Sequence, residues 1–81
     1  MKNRSRVDLI ATMLRSCRLG STKSRIMYAT YISHKQLSEY LDFMFRNKLI
    51  NFNIQSNEIF PTKKGHDWLS IYEKMMEMTK K

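Results

Sequence analysis

The sequence predicts a mainly helical α+β domain in which three short helices are followed by a two-stranded hairpin and a longer helix. Two observations support this fold class. Apolar residues recur at three- and four-residue spacing in three early segments and one late segment, as they do in amphipathic helices. Between these segments, residues 50–60 alternate apolar and polar side chains around a short turn, which is typical of a hairpin. The 81 residues suffice for one domain.

The first helix is expected from Ser5 to about Leu19, with Gly20 as the left-handed residue after its last turn. Its apolar stripe comprises Val7, Ile10, Ala11, Leu14 and Cys17. Because Cys17 lies on this stripe, we interpret it as a small core residue and not as a catalytic thiol, which would need an exposed, electropositive setting.

A second, shorter helix is expected to end at Thr30 and to be capped by Ser21 or Thr22. The residues of this helix that we expect to face the core are Ile26, Met27 and Ala29. Lys23 and Arg25 lie near its N-terminus, where positive charge gains nothing from the helix dipole. A contact with phosphate explains basic residues at this place better than a contribution to stability does.

The third helix, over residues 33–46, is the best-defined segment of the chain. Ser33 and Gln36 have the spacing of a capping box, which satisfies free amides at a helix start. The apolar face comprises Leu37, Tyr40, Leu41, Met44 and Phe45, and the outer face comprises His34, Lys35, Ser38 and Asp42. Only Tyr31 and Ile32 separate this helix from the second one. The pair therefore forms a helix-turn-helix, whose second helix can enter a DNA groove.

The hairpin is expected to have strands at residues 50–54 and 58–60, with Pro61 ending the second strand at a sheet edge. Its candidate anchors to the helices are Ile50, Phe52, Ile54 and Phe60. A hairpin placed directly after such a helix is a wing. Its tip residues are Asn53, Gln55, Ser56 and Asn57. Because they include no arginine or lysine, we expect the wing to make only light contact with DNA.

Thr62 is predicted to cap a final helix that runs to about Met78. One apolar line along it comprises Leu69, Tyr72 and Met76, and a second comprises Trp68, Ile71, Tyr72, Met75 and Met78. The first line can pack on its own domain, and we expect the second to form a homodimer interface. The alternative is that both lines pack within one domain. The expected division is residues 1–61 as a DNA-binding core and residues 62–81 as a helix for packing and dimerisation.

The formal net charge of +8 is unevenly placed along the chain. Residues 1–35 carry eight basic residues against Asp8, whereas seven basic and six acidic residues follow from residue 36 onward. This asymmetry favours a polyanionic partner, although a basic surface kept for solubility is the alternative. The candidate DNA-binding residues are Arg4, Arg6, Lys23, Arg25, Ser33, His34, Lys35 and Ser38.

No constellation of catalytic or metal-binding residues is visible in the sequence, so we expect neither an enzyme nor a metal, cofactor or small-molecule substrate. The histidines, His34 and His66, are far apart, and no Cys/His cluster has metal-ligand spacing. There is no glycine-rich phosphate loop. A single cysteine and the lack of a signal peptide or a membrane-spanning run fit a cytoplasmic, nucleoid-associated protein.

Several short runs resemble one family. They are Arg-Ile-Met-Tyr at 25–28, Gln-Leu-Ser-Glu-Tyr-Leu at 36–41, Leu49-Ile50, and Thr62-x-x-Gly65 followed by Trp68-Leu69 and Tyr72. Their order and spacing are similar to those of archaeal winged helix-turn-helix regulators. That group includes the ten-kilodalton Sulfolobus chromatin proteins of the Sso10a type. The resemblance covers the chain from about Val7 to Tyr72.

The resemblance implies double-stranded DNA binding, with the third helix in the major groove and an antiparallel coiled coil of the last helices in a dimer. On this chain His34, Lys35 and Ser38 would face bases or phosphates, and residues 68–78 would form the dimer seam. The role would be that of a transcriptional regulator or a chromatin-like protein. The alternative is a winged-helix module for protein interaction, in which Glu39 and Asp42 help to present the partner surface.

Overall fold

The computed structural model of the chain describes residues 5–79. The elements follow in the order α1 (Arg6–Ser16), α2 (Lys23–Thr30), α3 (His34–Arg46), β1 (Ile50–Asn53), β2 (Glu58–Pro61) and α4 (Lys63–Thr79). The predicted fold class, with three helices, a hairpin and a long last helix, is therefore confirmed. None of the helices within residues 5–79 combines the length and hydrophobicity that crossing a bilayer requires.

Each helix begins at a hydroxyl residue whose oxygen accepts a hydrogen bond from the amide three residues further on. These N-cap residues are Ser5, Thr22, Ser33 and Thr62. At Ser33 the capping box with Gln36 is complete, since the Gln36 side chain accepts from the Ser33 amide at 3.3 Å. The start of α3 is therefore fixed by its own sequence, as predicted.

Helix α1 is the centre of the core, because α2 packs on one side of it and α4 on another. Leu9 and Met13 are buried in addition to the predicted Ile10, Ala11, Leu14 and Cys17. Val7 was predicted on the buried stripe, and this is wrong, since it is 44% exposed. With neighbours on two sides the buried arc is broader than one stripe, and it lies away from Val7.

The predicted end of the first helix differs from the structure. Helix α1 ends at Ser16, and Gly20 takes its positive φ of 96° in the loop beyond it. A Cβ at Gly20 would lie 2.6 Å from the Phe60 ring, so the loop needs glycine for space as well as for conformation. Helix α3 ends at Arg46 as predicted, and Lys48 after it is in a left-handed conformation, with φ of 62°.

Helix α2 buries Ile26 as predicted and half-buries Met27, but the predicted inward position of Ala29 is wrong, because Ala29 is exposed. Thr30 is buried in its place. The Thr30 hydroxyl donates to the Ile26 carbonyl at 2.8 Å, which satisfies this polar group inside the core. A polar residue can therefore occupy a position that a pattern of apolar residues does not reveal.

The hairpin pairs β1 and β2 in antiparallel register from Ile50 opposite Pro61 to Asn53 opposite Glu58. On the other side of β2, Ser21 pairs with Ile59 through two backbone hydrogen bonds of 3.1 and 2.7 Å. Two of the four predicted anchors are confirmed, since Ile50 is buried and Phe60 is half-buried. Pro61 ends the second strand, as predicted. Phe52 and Ile54, at 42% and 84% exposure, are not anchors, and buried Ile59 takes that role.

The start of helix α4 is hydrogen-bonded to the segment between α3 and β1. The Thr62 amide donates to the Leu49 carbonyl at 2.9 Å, and the Thr62 hydroxyl donates to the Lys48 carbonyl at 2.6 Å. A Cβ at Gly65 would lie 2.1 Å from the Leu49 carbonyl oxygen, so only glycine permits this approach. The base of the hairpin and the start of α4 therefore form one rigid junction.

Candidate nucleic-acid interface

The outer face of α3 carries a stripe of mixed charge. His34, Lys35 and Ser38, the predicted contact residues of this helix, are all exposed. Along the centre of the same face lie Lys35, Glu39, Asp42 and Arg46, which share one side of a helix because they are spaced four, three and four residues apart. Two basic and two acidic side chains leave this stripe without net charge.

The two acidic residues of the stripe have different surroundings. Asp42 Oδ2 lies 2.9 Å from Arg46 Nη2, in a pair whose side chains are 64% and 72% exposed. Glu39 is exposed and makes none of the ion pairs found within residues 5–79. Arg46 at the C-terminal end of α3 is therefore ion-paired, whereas Lys35 near the N-terminal end makes no ion pair within residues 5–79.

A set of cations surrounds the first turns of α2 and α3. Lys23, Arg25 and Lys35 are exposed, and the ion pairs of the described part of the chain include none of them. Ser33, also predicted to contact DNA, caps α3 beside them. We refer to Lys23, Arg25 and Lys35, which are exposed at the first turns of α2 and α3, as the basic surface.

Arg6 connects the start of α1 to α3. Its guanidinium carbon lies 5.7 Å from the centroid of the Tyr40 ring, which is a cation–π arrangement. Arg6 is exposed, so it adds positive charge beside α3. The predicted contact residue Arg4 lies outside the described residues.

The tip of the hairpin is ordered by its own side chains. The Asn53 side-chain oxygen accepts from the amides of Gln55 at 2.9 Å and Ser56 at 3.2 Å. Asn57 closes the turn in a left-handed conformation, with φ of 59°. Phe52 and Asn57 line a shallow depression together with Thr22, Lys23 and Ser24. The structure therefore brings the hairpin beside the start of α2, where the basic surface lies.

Comparison with known proteins agrees with this arrangement. A sequence profile of winged helix-turn-helix proteins matches residues 3–80. The chain belongs to the winged helix-turn-helix family.

A solved structure with the same fold is that of Sso10a-2, described as a DNA-binding protein from Sulfolobus solfataricus. It aligns with a TM-score of 0.82 and 19% sequence identity, over 93% of this chain and 81% of that chain. The comparison with curated protein sequences finds no match. The resemblance inferred from the sequence is thus confirmed for the family and the fold, and the hairpin is the wing of a winged-helix domain.

In this winged-helix domain, α4 carries an exposed apolar face. Ile71, Met75 and Met78 are 62%, 49% and 79% exposed, whereas Tyr72 of the same predicted set is buried within the chain. Trp68 is half-buried and stacks on Tyr72, with ring centroids 5.8 Å apart and planes within 4°. Val7 of α1, which the sequence analysis placed in the core, completes an apolar groove with Trp68 and Met75.

The remaining candidates for chemistry are the thiol of Cys17 and the side chains that could bind a metal ion. Cys17 is 1% exposed, and burial raises the pKa of its thiol to about 11, so it is protonated at neutral pH. Within residues 5–79, no group of three or more histidine, cysteine, aspartate or glutamate side chains is placed to hold a metal ion. The basic surface, the wing and the α4 face are the features that can recognise a partner.

Proposed function

We propose that the protein binds double-stranded DNA as a homodimer, with α3 in the major groove. The observation that carries this proposal is the basic surface of Lys23, Arg25 and Lys35, whose exposed side chains form no ion pair within residues 5–79. If these residues were buried or ion-paired, their charges would serve to stabilise the fold and would not be available to a partner. Their exposure around the first turn of a capped helix is what a helix-turn-helix uses to hold phosphates. The DNA-binding description of Sso10a-2, which shares the fold, supports the same function.

The proposed roles follow from the side chains. Lys23, Arg25, Lys35, Arg4 and Arg6 contact phosphates without regard to sequence, and release counterions when they do so. Ser33 contacts the backbone, and His34 and Ser38 reach base edges near the start of α3. Because Arg46 is paired with Asp42, arginine readout of guanine from this helix is restricted. Binding is therefore dominated by phosphate contacts.

The exposed face of α4 is the proposed dimer interface. The side chains of Ile71, Met75 and Met78 stay 49–79% exposed in the described chain, and Trp68 and Tyr72 lie beside Ile71 and Met75 in the apolar groove. Two such faces packed antiparallel would cover this surface in both copies. The DNA site of a two-fold dimer would then contain two half-sites.

The decisive experiment is fluorescence anisotropy with random and genomic duplexes over a salt series. We expect binding that weakens steeply with salt. Similar affinity for all duplexes would indicate a nucleoid-associated, chromatin-like role. One duplex that stays bound at high salt, when the others dissociate, would indicate a site-specific regulator.

The variants Lys35→Ala and Arg25→Ala test the basic surface. Each is expected to lower affinity and to reduce the salt slope by about one. Lys63→Ala is the matched control, because Lys63 lies on α4 and its ammonium is 3.3 Å from Asp67. Wild-type protein that binds no duplex at low salt would overturn the proposal and favour a protein-interaction module presented by Glu39 and Asp42.

A further inference from the structure

The wing has an unusual composition for a DNA-contacting hairpin. Between Lys48 and Lys63 the chain carries one charged residue, Glu58, and no arginine or lysine. Glu58 directly follows the turn, opposite Asn53, and its carboxylate lies 2.9 Å from where a Cβ on Gly20 would be. The turn itself, residues 54–57, carries no charge and cannot hold phosphates by ion pairing.

The tip instead exposes an apolar side chain. Ile54 is 84% exposed, although isoleucine is among the residues most often found inside proteins. It lies in the four-residue turn between β1 and β2, and the two hydrogen bonds to Asn53 hold that turn in one conformation. Ile54 is thus presented at the end of an ordered projection, not on a loose loop.

We infer that Ile54 is an apolar wedge that enters a base step of DNA in the minor groove and bends the duplex. This inference rests on the proposed function. The wing adjoins the basic surface, because Phe52 and Asn57 share a depression with Lys23. A duplex held by that surface therefore extends over the wing.

The chemistry of the tip suits the minor groove. Proteins that bend DNA from this groove insert apolar side chains such as isoleucine between bases, and use asparagine and glutamine to contact the groove floor. The wing supplies Ile54 with Asn53, Gln55 and Asn57 beside it. Unstacking costs least at pyrimidine–purine steps, so the wedge acts at TA or CA/TG steps.

The test compares the wild type with Ile54→Ala, Ile54→Leu and the control Met76→Ala on α4, where Met76 is 43% exposed. Duplexes with TA steps carry either a donor–acceptor dye pair, which reports bending, or 2-aminopurine, which brightens when it is unstacked. Because Ile54 is exposed, thermal unfolding should be unchanged by its replacement. That measurement separates loss of the wedge from loss of the fold.

With Ile54→Ala we expect the bend and the 2-aminopurine signal to disappear and affinity to fall roughly tenfold at an unchanged salt slope. Ile54→Leu and Met76→Ala should bend DNA as the wild type does. Wild-type protein that binds without bending, or an Ile54→Ala variant that bends equally well, would overturn the wedge and leave the proposed function intact. Wild-type protein that binds no duplex would overturn both.

Discussion

The hydroxyl of Tyr72 donates a hydrogen bond to the carboxylate of Asp8, a residue 64 positions away, and so joins α4 to the first turn of α1. The other oxygen of Asp8 accepts from the Ser5 amide at 3.4 Å. One carboxylate therefore caps α1 and docks α4. Nearby, Arg15 Nε and Glu73 Oε2 are 3.2 Å apart, but both side chains are about half exposed, so this pair contributes less.

Replacing Tyr72 by phenylalanine should destabilise the fold by about 1–3 kcal/mol, because the partly buried Asp8 carboxylate loses a donor. Urea unfolding measures this change. Tyr28→Phe is the control, since Tyr28 is 73% exposed and should change stability by less than about 0.5 kcal/mol. Equal stability of the two variants would show that the Tyr72 hydroxyl does not secure α4.

Stability should also fall at alkaline pH because of Tyr72. The hydrogen bond to Asp8, with burial and the nearby negative charge, raises the pKa of Tyr72 above its ordinary value. In the unfolded chain Tyr72 loses its proton near pH 10, while the folded protein still holds it, so alkali favours unfolding. We expect the unfolding free energy of the wild type to decline from about pH 10 upward. The decline should be shallower in Tyr72→Phe, and identical profiles would contradict this assignment.

Gly65→Ala should destabilise the protein by more than about 2 kcal/mol, although alanine is the better helix former. The added methyl would lie 2.1 Å from the Leu49 carbonyl oxygen, so α4 would have to move off the base of the wing. Ser70→Ala, at an exposed position of the same helix, should be neutral or slightly stabilising. A Gly65→Ala variant as stable as Ser70→Ala would show that the junction yields easily.

Neutralising the acidic residues of α3 should strengthen DNA binding. Glu39→Gln removes one negative charge from the stripe, and Asp42→Asn also releases Arg46 from its 2.9 Å ion pair. We expect Asp42→Asn to raise affinity for random DNA several-fold and to steepen the salt slope, because one more cation becomes available to phosphate. Asp67→Asn on α4 is the control. An unchanged affinity in Asp42→Asn would place Arg46 away from DNA.

A charge on the α4 face should prevent the proposed dimer from forming. Ile71→Glu places a carboxylate where Ile71, 62% exposed in the single chain, is expected to meet a second copy. Sedimentation equilibrium should show dimers for the wild type and monomers for Ile71→Glu at micromolar concentration. Ser70→Glu, with the same charge one residue away, should remain dimeric. A monomeric wild type would remove the α4 interface from the proposal.

The sequence predicted the features that depend only on residues close together in the chain. Ser33 and Gln36 cap α3 wherever the helix packs, and Thr62 caps α4 for the same reason. The exposure of Val7 and Ala29 and the burial of Thr30 could not be predicted from the sequence, because they depend on which neighbours cover each side of a helix. Periodicity identifies an apolar stripe, and it does not give the width of the surface that two packed helices bury.

For the candidate interface, exposure of Lys23, Arg25 and Lys35 follows from residue type and position. The wing's place beside α2 does not, because it depends on the pairing of Ser21 with Ile59 across the chain. The exposure of Ile54 was also missed. An alternating pattern assigned it to the buried side of a strand, whereas β1 ends at Asn53 and leaves Ile54 in the turn.

Because Cys17 is buried, the reactivity of its thiol reports transient local unfolding of the protein. Its thiol is the only one in the sequence, is 1% exposed and has a pKa of about 11, so an alkylating reagent can reach the thiolate only when the end of α1 separates from the core. The alkylation rate therefore measures the population of open molecules without any added label. A ligand that binds only the native state lowers that population, so a duplex that slows alkylation of Cys17 is one that the folded protein binds.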